Sequence, residues 1–110
     1  MKIVNDQKGN PTYAPQLAQA IYVLTEAKKT GIYHCAGKSV IDRYTFALEV
    51  SEVFGLDKTL IKPVTTLELG QIVKRPLNGG LIVNKVESEL PFKFYTSREG
   101  LEEMKRSGPV

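Results

Sequence analysis

His34 and Cys35 are the single histidine and the single cysteine of a chain of 110 residues, and they are adjacent. A thiol beside an imidazole is the pairing of nucleophilic catalysis. Adjacency works against it here. The pair lies within Gly31-Ile32-Tyr33-His34-Cys35-Ala36-Gly37, which reads as a strand, and neighbours along a strand point to opposite faces. Cys35 therefore reads as a small buried hydrophobe and His34 as a sheet residue with a hydrogen-bond partner. One cysteine excludes an internal disulfide, and one Cys with one His cannot complete a structural zinc site. Gly79-Gly80 lacks the spacing and the following helix of a dinucleotide fingerprint. Glu49, Glu52, Glu102 and Glu103 read as solvated helix faces. No catalytic, cofactor-binding or metal-ligating group emerges. What remains is a pair of cations, Lys74-Arg75, at the head of a loop rich in Pro, Asn and Gly.

The elements that would position these groups are readable. Residues 31–37 are nearly uncharged and too short for a helix, which fits a strand covered on both faces in a parallel sheet. Before them, Pro15 suits a first helical turn. Leu17, Ile21 and Leu24 recur at i, i+4 and i+7 beside Ala18 and Ala20. Lys28 and Lys29 would complement the helix dipole in the last turn, with Gly31 ending the helix. After the strand, Ser39-Val40-Ile41-Asp42 reads as a capping box. It is followed by Phe46, Ala47, Val50, Val53 and Phe54 on one helical face and Gly55 as the C′ residue. A strand between two helices is the repeating unit of α/β folds.

The rest of the chain is shorter in its elements. Residues 2–5 read as extended and 6–11 as a turn. Residues 60–65 read as extended, with Pro63 confining them to an edge or to irregular structure. Thr65-Thr66-Leu67-Glu68 and Thr96-Ser97-Arg98-Glu99 are further capping boxes. The first opens a short helix. The second opens one that carries Leu101 and Met104 and frays into Ser107-Gly108-Pro109. Residues 74–80 form a loop, Leu81-Ile82-Val83 is apolar, and Lys85-Val86-Glu87 begins a short helical piece.

Length allows one domain or part of one, able to bury roughly two thirds of its unfolded surface. Hydrophobic residues at 42% and charged residues at 25% are ordinary globular values. A net charge of +3 favours a phosphate-bearing ligand. The cations are dispersed and no aromatic–basic cluster appears, which argues against nucleic acid. No run reaches membrane-span length and no signal-peptide pattern opens the chain, so a cytoplasmic location is expected.

Four stretches carry a family resemblance. Asp6-Gln7-Lys8-Gly9-Asn10-Pro11-Thr12-Tyr13-Ala14-Pro15-Gln16-Leu17-Ala18 resembles the "DQ.G.PTYA..LA" segment of dTDP-4-dehydrorhamnose reductases, members of the extended short-chain dehydrogenase/reductase superfamily. Residues 31–37 resemble that family's "GIYHLAG" strand and Tyr44-Thr45-Phe46-Ala47 its "YEFA" helix. Arg75-Pro76-Leu77-Asn78, with Leu81 and Lys85, resembles its "RPxNSxLxxxK" stretch. Gly79 stands where the family usually has Ser. Order and spacing agree from about residue 3 to residue 104.

The resemblance implies an α/β fold: the C-terminal portion of an NAD(P)-binding Rossmann-type reductase, with short parallel strands and flanking helices. It implies the substrate-binding part of an enzyme that reduces a dTDP-4-keto-6-deoxy sugar with NADPH or NADH. The family's glycine-rich cofactor loop and Tyr-x-x-x-Lys pair are not in this sequence. The chain is therefore expected to be a C-terminal fragment with Met1 an internal or introduced methionine, inactive and without bound cofactor when alone. Substrate-binding candidates are Arg75, whose guanidinium suits a diphosphate, with Gln7, Thr12 and Asn78. Expected partners are the dTDP-sugar, the missing N-terminal Rossmann part and a second copy of the chain. No nucleic acid and no membrane are expected. The alternative is a non-catalytic regulatory subunit, like the relative that regulates methionine adenosyltransferase.

Overall fold

The computed structural model describes residues 1–108; Pro109 lies outside the described residues. The elements are β1 (Lys2–Val4), β2 (Lys8–Gly9), α1 (Ala14–Glu26), β3 (Ile41–Asp42), α2 (Arg43–Phe54), a 3-10 turn (Lys58–Leu60), β4 (Lys62–Val64), α3 (Thr66–Leu69), α4 (Asn84–Glu89) and α5 (Ser97–Ser107). β1 pairs in parallel with β4, placing Ile3 beside Pro63 and Val4 beside Val64. Proline is tolerated in β4 because this sheet has two strands, and both are edges. β2 pairs antiparallel with β3, Lys8 against Asp42 and Gly9 against Ile41. The architecture is α/β, with short parallel strands and flanking helices.

Local signals set several boundaries where they were expected. Thr65 and Thr96 form reciprocal capping boxes with Glu68 and Glu99. The hydrogen bonds that the Glu99 carboxylate accepts from Thr96 hold its pKa below the usual carboxylate range. Gly55 ends α2 in the left-handed region at φ 66°. Pro15 sits in the first turn of α1.

Four expectations fail, each for a physical reason. First, α2 is capped by Asp42, whose carboxylate accepts from Thr45 N at 2.8 Å. Ser39 instead accepts a bond from Ser97 N. Second, Lys28 and Lys29 are not in the last turn of α1. The helix ends at Glu26, and Lys28 turns the chain with a positive φ of 53°. Third, the stripe that α1 buries is not the one set by Leu17 and Ile21. It buries Gln16 and Ala20, and Ile21 is 58% exposed. Gln16 is held inward because its side-chain amide closes a two-bond bridge, Nε2 donating to Lys93 O and Oε1 accepting from Tyr95 N.

The fourth difference is residues 31–37, which belong to no sheet. A strand needs a ladder partner. Among the described residues, the N–H groups of residues 32–36 find no acceptor within the chain. The segment is pinned from its ends: Lys38 N donates to Tyr95 O, and Lys85 Nζ donates to Ile32 O. Tyr33 and Cys35 pack against the core, and Ala36 lies in it. Ile32 and His34 are exposed. His34 is thus not a bonded sheet residue, whereas partial burial of Cys35 raises its thiol pKa.

The core sits around α4. Val86 is fully buried, surrounded by Ala20, Ala36, Val83, Leu90 and Phe94. Phe92 meets Phe94 edge-on at 5.0 Å between ring centroids. Gly37 closes this core against the turn before α1. A Cβ there would stand 1.9 Å from Pro11 O, so no other residue fits without moving the backbone.

Candidate functional site

On the other side of the molecule, β1, β3, α2, the 3-10 turn and the loop after α3 enclose an open cleft of about 880 Å³. Its floor is apolar: Ile3 from β1, Phe46, Ala47 and Val50 from α2, Leu60 from the turn and Ile61 just after it. α2 supplies three of these because positions i, i+1 and i+4 share a face. The cleft's polar residues include Gln7, Lys8, Asn10, Arg43 and Arg75.

Two carboxylates also line the cleft, and both are engaged by the chain itself. Asp42 accepts from Thr45 N and from Thr45 Oγ1 at 2.6 Å. Asp57 accepts from Thr59 Oγ1 and N, and those bonds hold its pKa below the usual carboxylate range. The cations are not engaged. Among the described residues, Lys8, Arg43 and Arg75 have no carboxylate within ion-pair distance. The cleft therefore offers guanidinium and ammonium donors above an apolar floor. That combination suits an anionic ligand with an apolar part. No group of three or more His, Cys, Asp or Glu side chains suited to a metal occurs among the described residues.

The four candidates from the sequence fall in different places. Arg75 lines the cleft. Gln7 lines it too, but is buried, with Nε2 donating to Thr66 Oγ1 at 3.1 Å and to Gln71 Oε1 at 3.0 Å. Next to it, Asp6 accepts from Thr66 N and Oγ1, which lowers its pKa. Thr12 lies outside the cleft lining; its hydroxyl donates to Asn10 O and accepts from Gly37 N. Asn78 is outside the lining as well, its Oδ1 accepting from Gly80 N within the loop.

Sequence reasoning passed over Asn10 and Arg43. Asn10 ties three segments together: Nδ2 donates to Gly37 O and Leu81 O, and Oδ1 accepts from Leu81 N at 2.7 Å. It thereby fixes the far end of the loop that carries Arg75. A turn-forming Asn gives no sequence signal of bonds reaching 71 residues away. Arg43 did leave a signal. It is a cation in the first turn of a helix, where the dipole disfavours it.

The family model described as the RmlD substrate binding domain matches residues 1–108. The chain belongs to that family. Among curated proteins, a spore coat polysaccharide biosynthesis protein, SpsK of Bacillus subtilis, is 40% identical over 76 residues. A dTDP-4-dehydrorhamnose reductase of Aggregatibacter actinomycetemcomitans is 29% identical over 96 residues. These matches cover 69% and 77% of this chain but only 26% and 33% of the relatives' lengths. Among solved structures, the dTDP-4-dehydrorhamnose reductase of Bacillus anthracis in complex with NADP superposes with a TM-score of 0.89 at 25% identity, over 98% of this chain and 38% of that one. The Clostridium acetobutylicum orthologue gives a TM-score of 0.84 at 28% identity, over 97% and 38%. As an RmlD substrate-binding domain, the chain has its cleft on the face formed by β1, α2 and the Arg75 loop. No helix among the described residues is long and apolar enough to cross a membrane.

Proposed function

We propose that this chain is the substrate-binding part of an NAD(P)H-dependent dTDP-4-dehydrorhamnose reductase, acting in the cytoplasm on a dTDP-4-keto-6-deoxy sugar. The observation that carries the reading is the cleft: in a chain matched over residues 1–108 by a substrate-binding family, its cations have no carboxylate partner among the described residues while its carboxylates are bonded by the chain. Arg75 holds the diphosphate, where a guanidinium meets phosphoryl oxygens in a bidentate fork. Gln7 shapes the wall beside it. Thr12 and Asn78 act at one remove, by holding the backbone of residue 37 and of the Arg75 loop. The nicotinamide, when bound to the intact protein, supplies the hydride. This chain's own residues bind and orient the sugar nucleotide.

The chain alone is inactive, since groups that bind cannot supply hydride chemistry. The unpaired backbone of residues 32–36 and the exposed Ile21, Tyr22 and Ile32 form the surface that meets the N-terminal Rossmann part. Without that part, the same surface makes the chain self-associate. Two measurements test the reading. Mixed with NADPH and the keto sugar, the chain should cause no cofactor oxidation above background, yet calorimetry should show that it binds dTDP. Turnover by the chain alone, or no dTDP binding, would overturn it. Sedimentation at micromolar concentration should show dimers or larger species, and a stable monomer would refute the assigned docking surface.

A further inference from the structure

We infer that Arg43 is a second anion-binding residue of the cleft and grips the same diphosphate as Arg75. The inference rests on the substrate-binding reading above. Its basis is how the chain spends its arginines. There are four. Arg98 is paired with Glu52, and Arg106 with Glu103, both outside the cleft. The two without a carboxylate among the described residues, Arg43 and Arg75, both line the cleft. Asp42, next to Arg43 in the chain, cannot neutralise it at no cost, because its two oxygens are held by Thr45 N and Oγ1.

The two cations also come from unlike supports. Arg43 stands on α2, which is fastened to α5 by the Arg98–Glu52 pair and by Lys105 Nζ donating to Val53 O at 2.8 Å. Arg75 stands on a loop that Asn10 ties at Leu81. A single phosphoryl group needs one fork. A diphosphate has two phosphoryl groups and can engage a guanidinium on each. A cation on a helix and one on an anchored loop can each meet one of the two phosphoryl groups. Arg43 therefore contributes to the diphosphate contact from the first turn of α2, where it lines the cleft.

The test is calorimetric titration of the 110-residue chain with inorganic pyrophosphate and, separately, inorganic phosphate. The proteins compared are the unsubstituted chain, Arg43→Gln, Arg43→Lys, Arg75→Gln and Lys28→Gln, each checked for native circular dichroism. Arg43→Gln should weaken pyrophosphate binding by about tenfold or more, the loss of one charge-assisted contact. It should also shrink the preference for pyrophosphate over phosphate. Arg43→Lys should recover part of the loss, and Lys28→Gln, outside the cleft, should change nothing. If Arg75→Gln weakens binding and Arg43→Gln does not, the second grip is refuted and the substrate-binding reading survives. If neither arginine matters, or the unsubstituted chain shows no saturable binding, both fall. Equal losses in Arg43→Gln and Lys28→Gln would reduce the effect to net charge and refute the inference.

Discussion

The cluster around Val86 and the cleft beside α2 are built from the same residue types and end in opposite conditions. In the cluster, polar groups that enter are fully used. Gln16 bridges Lys93 and Tyr95, Glu87 accepts from Phe94 N at 2.9 Å, and no buried side-chain nitrogen or oxygen among the described residues lacks a partner. In the cleft, Phe46, Ala47 and Val50 remain half-buried around open volume, and the arginines that line it have no carboxylate partner among the described residues. Satisfied polar groups and packed rings make stability. Hydrated cations with no partner in the chain, beside uncovered apolar surface, leave contacts open to a ligand. The difference separates the part that holds the chain together from the part that can bind.

The contrast can be broken most directly by truncating one aromatic on each side. Phe94→Ala should cost about 3–5 kcal/mol of unfolding free energy, as for a ring removed from a packed core. Phe46→Ala should cost no more than about 1 kcal/mol, near the centre of ordinary substitutions. Urea denaturation of the two variants decides it, and equal losses would show that the cleft floor is a second core. Next in size, Arg75→Ala should weaken dTDP binding by about 1.5–3 kcal/mol without moving the denaturation midpoint. Arg75→Lys should restore only part, since the fork is lost. Calorimetry beside thermal melting separates the two effects. Gln16→Ala strands Lys93 O and Tyr95 N and should destabilise by about 1–3 kcal/mol. Loss of slow amide exchange at Tyr95 would locate the damage.

The smallest effect is one of pH. Asp6 and Asp57, both on the cleft side, have pKa values lowered chiefly by bonds from Thr66 and Thr59. A carboxylate whose folded pKa lies below its unfolded value stabilises fully above the unfolded value and loses that contribution as pH falls through the folded one. Below about pH 4 the amides of Thr66 and Thr59 should therefore shift before those of the Val86 cluster. Asp6→Asn should remove the Thr66 response, and simultaneous shifts across both regions would contradict the separation.

What the sequence revealed and what it hid follow range of interaction. The boxes at Thr65 and Thr96 and the turn at Gly55 depend on residues at most a few positions away, and they stood where expected. Residues 31–37 have a strand's composition, but pairing is a property of the partner, and no partner strand is among the described residues. Gln16 lies one position from the apolar stripe of α1. Only knowledge of residues 93–95 reveals that it points inward. At the cleft, family resemblance singled out Arg75, whereas Arg43 left only the weak signal of a cation in a first helical turn. Its lack of a carboxylate appears only once the positions of Glu52, Glu103, Asp42 and Asp57 are known.

The bonds that secure the first sixteen residues bear on the order of events during synthesis. Asp6 bonds across 60 positions, Gln7 across 64, Asn10 across 71 and Gln16 across 79. Contacts so distant form late and slow a chain's search. At roughly 5–20 residues per second on the ribosome, the opening segment waits roughly 4–16 s for the last of these partners. Through that interval α1 holds Leu17, Ile21 and Leu24 on a nascent, uncommitted helix. Residues 6–16 thus take their final bonds only after residues 93–95 have been made.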